Sequence, residues 1–165
     1  MDFVIREATG DDYEELRELF DQGSTIHHEG EPGIIGDPWM RPTTRAFLLR
    51  LLNDESSAIF VAELNDTQPD GHKLAGFIQL SYQDTEGIGG LASRRYVLVM
   101  DVEVRAAHQR QGIGHKLMEA GDKWAVSIGA TQLELSVWEF NNRALTLYER
   151  LGYRTIYRQM VRDLT

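Results

Sequence analysis

Two stretches of this sequence hold residues whose types and spacing could do chemistry. The first runs Gln109-Arg110-Gln111-Gly112-Ile113-Gly114. Its glycines stand just ahead of a segment in which Ile113, Leu117, Trp124 and Ile128 fall on one helical face, so the stretch reads as a turn opening into a helix. The first turn of a helix carries backbone N–H groups without intrahelical partners and a partial positive charge. With no Cβ at 112 and 114, a phosphate can come close to those N–H groups. Two other phosphate loops are excluded. Leu117 stands where a dinucleotide-binding G-x-G-x-x-G needs its third glycine. His115 separates Gly114 from Lys116, with no Ser or Thr following, so the P-loop pattern fails as well.

The second stretch is Asn141 to Gly152. Asn141 or Asn142 can cap a helix. Ala144 and Tyr148 are four apart on one face, so the small residue leaves room beside the ring, and Gly152 allows a left-handed helix stop. A phenol with an ordinary pKa of about 10 is protonated at neutral pH and can donate a proton. Upstream, alternation along Tyr96–Val104 puts Leu98, Met100, Val102 and Val104 on one face and Val99, Asp101 and Glu103 on the other. Glu103, at the strand's C-terminal end, is the first candidate for a general base. Asp101, about 7 Å further back on the same face, is the second, and a water chain is a third route.

Composition narrows the chemistry. There is no cysteine, which removes disulfides, thiolate metal sites and a sulfur nucleophile together. Any acyl transfer must be direct or use another nucleophile. His27 and His28 are adjacent and His72, His108 and His115 are scattered, without metal-ligand spacing, so no metal is expected. A net charge of -9 repels a phosphate backbone, so nucleic acid is not an expected partner. Within this acidic chain, Arg105, His108, Arg110, His115 and Lys116 form a run without an acid, a place for a small anionic ligand. There is no apolar run long enough to span a membrane, and Met1–Arg6 reads as a strand rather than a signal segment. A cytoplasmic protein, a single domain over 1–165, is the expectation.

The elements that must position these residues follow from periodicity. Phe3–Ile5 is a short strand. Thr9 and Asp12 form a capping box ahead of a helix marked by Tyr13, Leu16, Leu19 and Phe20. Residues 21–42, rich in Gly, Pro, His and acids, read as a long loop of the kind that serves as a lid. Phe47, Leu48, Leu51 and Leu52 mark a second helix. Strands are expected at 58–62, 74–80 and Tyr96–Val104, then a helix over 112–128, a strand over Leu133–Val137, a helix over 141–151 and a last strand over Tyr153–Val161. This mixture predicts an α/β or α+β sheet with helices packed on it.

Q-x-x-G-x-G at Gln109–Gly114 resembles the acyl-CoA pyrophosphate loop, Q/R-x-x-G-x-G/A, of the GNAT superfamily of N-acetyltransferases. Asn141–Tyr153 resembles that superfamily's N-x-x-A-x-x-x-Y-x-x-x-G-F/Y segment at every anchor. The resemblance implies one GNAT-like domain, with a central mixed, mostly antiparallel twisted sheet of about six or seven strands flanked by about four helices. It implies acetyl-CoA as cosubstrate and an amine as acceptor, without a covalent acyl-enzyme. Carried over residue by residue, Val102 and Val104 would pair with pantetheine across splayed strands. The N–H groups of Gln109, Arg110, Gln111, Gly112, Ile113 and Gly114 would hold pyrophosphate. Asn141 would contact the pantetheine end, Tyr148 would face the thioester sulfur, and the N–H of Val104 could serve the oxyanion. Ser136 stands twelve residues before Tyr148, where relatives acting on protein N-termini carry Glu, so the chain departs from that subgroup. The acidic chain, with Glu29, Glu31 and Asp37 in the 21–42 segment, points to a small cationic primary amine as acceptor. A monomer or homodimer is expected. A non-catalytic acyl-CoA-binding or regulatory module on the same fold is the alternative, and a nucleotide-binding protein using the same anion site is a third reading.

Overall fold

In the computed structural model, which describes residues 2–36, 44–66, 68–69, 71–90 and 92–164, one five-stranded sheet lies between two pairs of helices. The strands β1 (Phe3–Glu7), β2 (Ser57–Leu64), β3 (Leu74–Asp84), β4 (Arg95–Val104) and β5 (Gln132–Leu135) stand side by side in chain order. The first three junctions are antiparallel and β4–β5 is parallel. A parallel junction needs a crossover, and α3 (Ile113–Ser127) supplies it.

Each face of the sheet has its own apolar layer. On one side α1 (Tyr13–Gly30) and α2 (Arg45–Leu52) bring Leu16, Leu19, Phe20, Leu48 and Leu51 onto Ile59, Val61 and Phe77. On the other, α3 and α4 (Asn142–Arg150) bring Ile113, Leu117, Met118 and Tyr148 onto Ile78, Leu80, Val97 and Val99. The start of α1 is pinned to β1, because Arg6 grips the Asp12 carboxylate with two 2.8 Å bonds while Asp12 also accepts the Thr9 N–H at 2.7 Å. The mixed, mostly antiparallel sheet and the four helices are as expected, with five strands instead of six or seven.

Three expectations are corrected. First, α1 runs on to Gly30, so residues 21–30 are helix and not loop, and residues 37–43 lie outside the described ones. The apolar stripe stops at Phe20 because the later turns face the end of β4 and Phe140 rather than the core, where small and polar residues fit. Second, Tyr153–Val161 is not a strand. Tyr153 donates its N–H to Tyr148 O at 2.9 Å, but beyond it the chain is solvent-facing, with Met160 89% exposed. Strand composition makes no strand where the segment does not pair with the sheet. Third, β4 carries a β-bulge. Gln79 pairs with Asp101 and Leu80 with Val99, so Met100 is the extra residue. The bulge resets the alternation. Val97, Val99, Val102 and Val104 all pack toward α3 and α4, whereas Asp101 and Glu103 turn toward α1. Simple alternation had put Val99 with the acids.

A chain ended after Thr155 is expected to unfold within about 0.5 kcal/mol of the full-length protein, measured by urea denaturation. A loss of several kcal/mol would mean that the tail is an integral strand.

Candidate active site

The site grows from a mismatch in strand length. β5 pairs with β4 only from Tyr96 to Val99, yet β4 continues to Val104. Arg105 donates its N–H to Ala75 O at 2.8 Å. In an antiparallel pair the hydrogen-bonded positions alternate, so Glu103 bonds toward β3, and the N–H and C=O of Val102 and Val104 point into the gap beyond β5. Side chains meet these groups. Val104 N–H donates to Glu103 Oε1 at 3.2 Å, and Val104 O accepts from Gln22 Nε2 at 3.2 Å and Gln109 Nε2 at 2.9 Å. Val102 and Val104 thus stand at the gap as the sequence suggested.

One end of the gap is the mouth of α3. After a single 3-10 turn at Ala106–His108, Arg110 adopts φ 61° and Gly112 φ 84°. Arg110 is the one non-glycine residue at positive φ among those described, a strained state that the surroundings must hold. Left-handed residues in such a turn make successive N–H groups converge into an anion-binding concavity. The first of these amides to meet a carbonyl of the chain is that of Lys116, bonded to Gly112 O at 3.1 Å. Arg110, Gln111 and Gly112 are exposed, and a Cβ at Gly112 would meet nothing within 4 Å. Behind the mouth a Cβ at Gly114 would lie 3.6 Å from Leu147 Cδ2 and 3.9 Å from Val104 Cγ2, so α3, α4 and β4 converge there. The Ile113 side chain is buried in the core, which leaves its N–H alone to serve the mouth.

The basic run is less free than its composition suggested. Arg105 bonds Glu18 and the Leu74 carbonyl, Lys116 and His115 both pair with Glu119, and His108 is buried. Anion binding at this mouth rests chiefly on backbone N–H groups and Arg110. Gln109 turns its side chain inward, donating to Val104 O and accepting from Arg143 on α4.

Tyr148 reaches the gap from α4. It is 8% exposed, and its ring packs 5.6 Å from that of Tyr153. Burial first, then the negative charges of Asp101 and Glu103, push its pKa up to about 12, so it stays protonated across the neutral range. Asn141 caps α4 by accepting the Ala144 N–H at 3.1 Å. Its side-chain oxygen is thereby engaged locally.

Asp101 and Glu103 arrive from the other side. Burial, then the nearby Glu103, lifts Asp101 to about 7. Burial also raises Glu103, against the Gln22 amide, the Val104 N–H and the Arg143 charge, all of which favour its ionised form. Helix α1 closes over the pair. A Cβ at Gly23 would sit 3.1 Å from Glu103 Oε2 and 3.9 Å from Asp101 Oδ1, so a side chain here would press on the Glu103 carboxylate. A Cβ at Gly30 would strike the Phe140 ring. His27 shares the helical face of Gly23 and Gly30, half-buried, and burial lowers its pKa. His28 Nδ1 is 2.8 Å from Ile35 O. Glu29 is exposed and Glu31 half-buried, and Asp37 is outside the described residues.

Sequence reasoning missed Gln22, Gly23, Phe140 and Arg143. The Gly23, His27, Gly30 spacing of four and then three residues was the available signal for the helical face.

Comparison with known proteins agrees with this geometry. The family model described as "Acetyltransferase (GNAT) family" matches residues 13–153. Thialysine N-epsilon-acetyltransferase of Bos taurus is 31% identical over 87 residues, 52% of this chain and 47% of that protein. Streptothricin acetyltransferase of Streptomyces lavendulae is 34% identical over 100 residues, 61% of this chain and 46% of that protein. The chain thus spans about half the length of these curated relatives. A crystal structure of a mutant BH1408 protein from Bacillus halodurans superimposes with a TM-score of 0.86 at 26% identity, covering 98% of this chain and 99% of that one.

The Asp101 carboxyl generates a stability prediction. Its folded pKa of about 7 lies above the ordinary 3.8, so the folded state holds the proton more tightly than the unfolded one. Stability is therefore highest below pH 4 with respect to this group and is lost as pH rises toward 7. Asp101→Asn should be more stable than the parent at pH 8, by on the order of 1–4 kcal/mol, with a flatter pH dependence between 4 and 7. Equal or lower stability at pH 8 with an unchanged slope would contradict the burial of this charge.

Proposed function

The chain belongs to the acetyltransferase (GNAT) family, and from that premise we propose that it transfers an acetyl group from acetyl-CoA directly to the primary amine of a small cationic molecule. One observation carries this reading. The gap past the end of β5 has the convergent amides of residues 110–115 at its mouth, the Val102 and Val104 backbone along its wall, and a buried phenol and two half-buried carboxylates about it.

The division of labour follows. The amides from Arg110 to Gly114 and the Arg110 side chain hold the pyrophosphate, the Gln109 N–H being given to Ala106 O at 3.4 Å. The Val102 peptide group pairs with pantetheine, while the Val104 carbonyl stays with Gln22 and Gln109. Acetyl-CoA supplies the activated acetyl thioester. Glu103 accepts a proton as the amine nitrogen forms its bond to the acetyl carbon. Asp101, half-protonated near neutrality, assists or replaces it. The Val104 N–H is the donor for the oxyanion, which requires it to leave Glu103 Oε1. Tyr148 donates to the departing sulfur. With its pKa well above that of a thiol, about 8.5, it stabilises the thiolate as a hydrogen-bond donor and keeps its own proton. The chain has no cysteine, so no acyl group passes through protein sulfur.

The acceptor class is supported by the two carboxylates in the α1-covered half of the site, where an ammonium group relieves their mutual repulsion. The relatives named for thialysine and streptothricin favour the same class. The non-catalytic alternative is separated from this reading by Tyr148, since a module that only binds acyl-CoA has no use for a phenol at the sulfur. In a thiol-release assay with acetyl-CoA and a panel of polyamines, amino acids, aminoglycosides and peptides, the parent should turn over a cationic amine. Tyr148→Phe should lower kcat by roughly 10²-fold or more while the Kd for acetyl-CoA stays within about threefold. Unchanged turnover in Tyr148→Phe would remove the acid assignment, and no turnover with any amine would favour the binding module.

A further inference from the structure

We propose that Gln22 is a positioning residue for this reaction: from α1, its amide fixes the Glu103 carboxylate and the Val104 carbonyl in one arrangement at the mouth of the gap. The inference rests on the reading of Glu103 as the base. Gln22 Nε2 lies 2.7 Å from Glu103 Oε1 and 3.2 Å from Val104 O. Both partners are acceptors, so only the amide's NH2 end can face them, and its two hydrogens match the two bonds. Val104 O has two lone pairs. The second takes Gln109 Nε2 at 2.9 Å, and Gln109 in turn accepts from Arg143. A carbonyl that lost its strand neighbour is thus held by two glutamines, one from the helix over the acceptor side and one from the turn at the donor side.

The bond to Glu103 has a consequence that a purely structural contact would not. Burial drives the Glu103 carboxyl toward its protonated form, and the Gln22 amide opposes this by donating to the carboxylate. The charged and titratable groups around Glu103 are Asp101 on β4, Tyr148 and Arg143 on α4, and, on the α1 face beside it, His27. None of them belongs to residue 22, so a substitution there changes one donor and leaves the other charges in place. Replacing Gln22 by Leu removes the donor and should make Glu103 hold its proton to higher pH. Replacing it by Lys keeps a donor and adds a positive charge, and should move Glu103 the opposite way.

The test is the pH profile of kcat/KM in the thiol-release assay, at saturating acetyl-CoA with the amine that turns over best. Gln22→Leu should shift the acidic limb upward by about 0.5 to 1 pH unit and reduce kcat/KM at neutral pH up to about tenfold, with the Kd for acetyl-CoA within about threefold. Gln22→Lys should shift the limb downward. Opposite shifts support the proposal, and if Gln22→Leu fails to fold, the downward shift of Gln22→Lys supports it alone. An acidic limb that both variants leave in place overturns it. Glu103→Gln, measured alongside, separates the two levels. If it loses the limb while the Gln22 variants leave it unmoved, only the role of Gln22 falls. If it keeps full activity and the same limb, the reading of Glu103 as base falls too.

Discussion

Every backbone N–H and C=O buried in a protein must find a partner, and β4 is the strand where this rule is under most pressure. Its ladder to β3 is intact to Val104, but on the other side β5 stops opposite Val99. The bulge at Met100 falls at that boundary, and from there the outward-facing peptide groups of Val102 and Val104 must be met by something other than a strand. At Val104 side chains from three elements converge: Gln22 from α1, Gln109 from the turn before α3, and the neighbouring Glu103. The active-site cleft is what remains where the sheet stops pairing, and the helices on both faces are arranged around that opening.

The same break lets the two layers communicate. A continuous sheet separates the residues of its two faces. Here Asp101 and Glu103 project toward α1 while Tyr148 belongs to the α4 layer, yet the negative charges reach the phenol and raise its pKa. Burial and mutual repulsion keep the three groups protonated more readily than in water. A phenol and two carboxylates are thereby held close together, each raised to a different degree, an arrangement suited to proton transfer and hydrogen-bond donation. The overall negative charge of the chain does not decide where an anion binds. Arg105, Lys116 and His115 are tied to glutamates, and what the mouth of α3 offers an anion is the direction of its peptide dipoles.

Much of this was legible in the sequence. The glycine turn before α3 and the Asn141–Gly152 helix announced themselves because their chemistry is local: caps, left-handed glycines and helical spacing depend on near neighbours. The ends of β4 were legible for the same reason. What escaped depends on partners distant in the chain. The bulge at Met100 is set by the register with β3, and nothing within Tyr96–Val104 marks it. Residues 22–30 look like a loop because Gly23, Ser24 and Thr25 form helices poorly on their own, and the tertiary fit of Gly23 over Glu103 overrides that preference. The Tyr153–Val161 segment shows the converse. Its residues favour a strand, but propensity without ladder pairing to the sheet makes none. The acids of the 21–42 segment were read as pointing to a cationic acceptor; among the described residues the carboxylates beside the gap are Asp101 and Glu103 of β4.

The central claim is that the amides at the mouth of α3, together with those of Val102 and Val104, receive CoA. A titration of the 15N-labelled protein with CoA, followed by amide-resolved NMR, tests it most directly. The account predicts that the largest shifts at saturation fall on Arg110 to His115, Val102 and Val104, with downfield movement of the amides that gain a phosphate acceptor. Shifts that leave these residues in place and gather elsewhere, for instance along the groove between α3 and the β1–β2 edge lined by Ile5, Phe60 and Trp124, would contradict it.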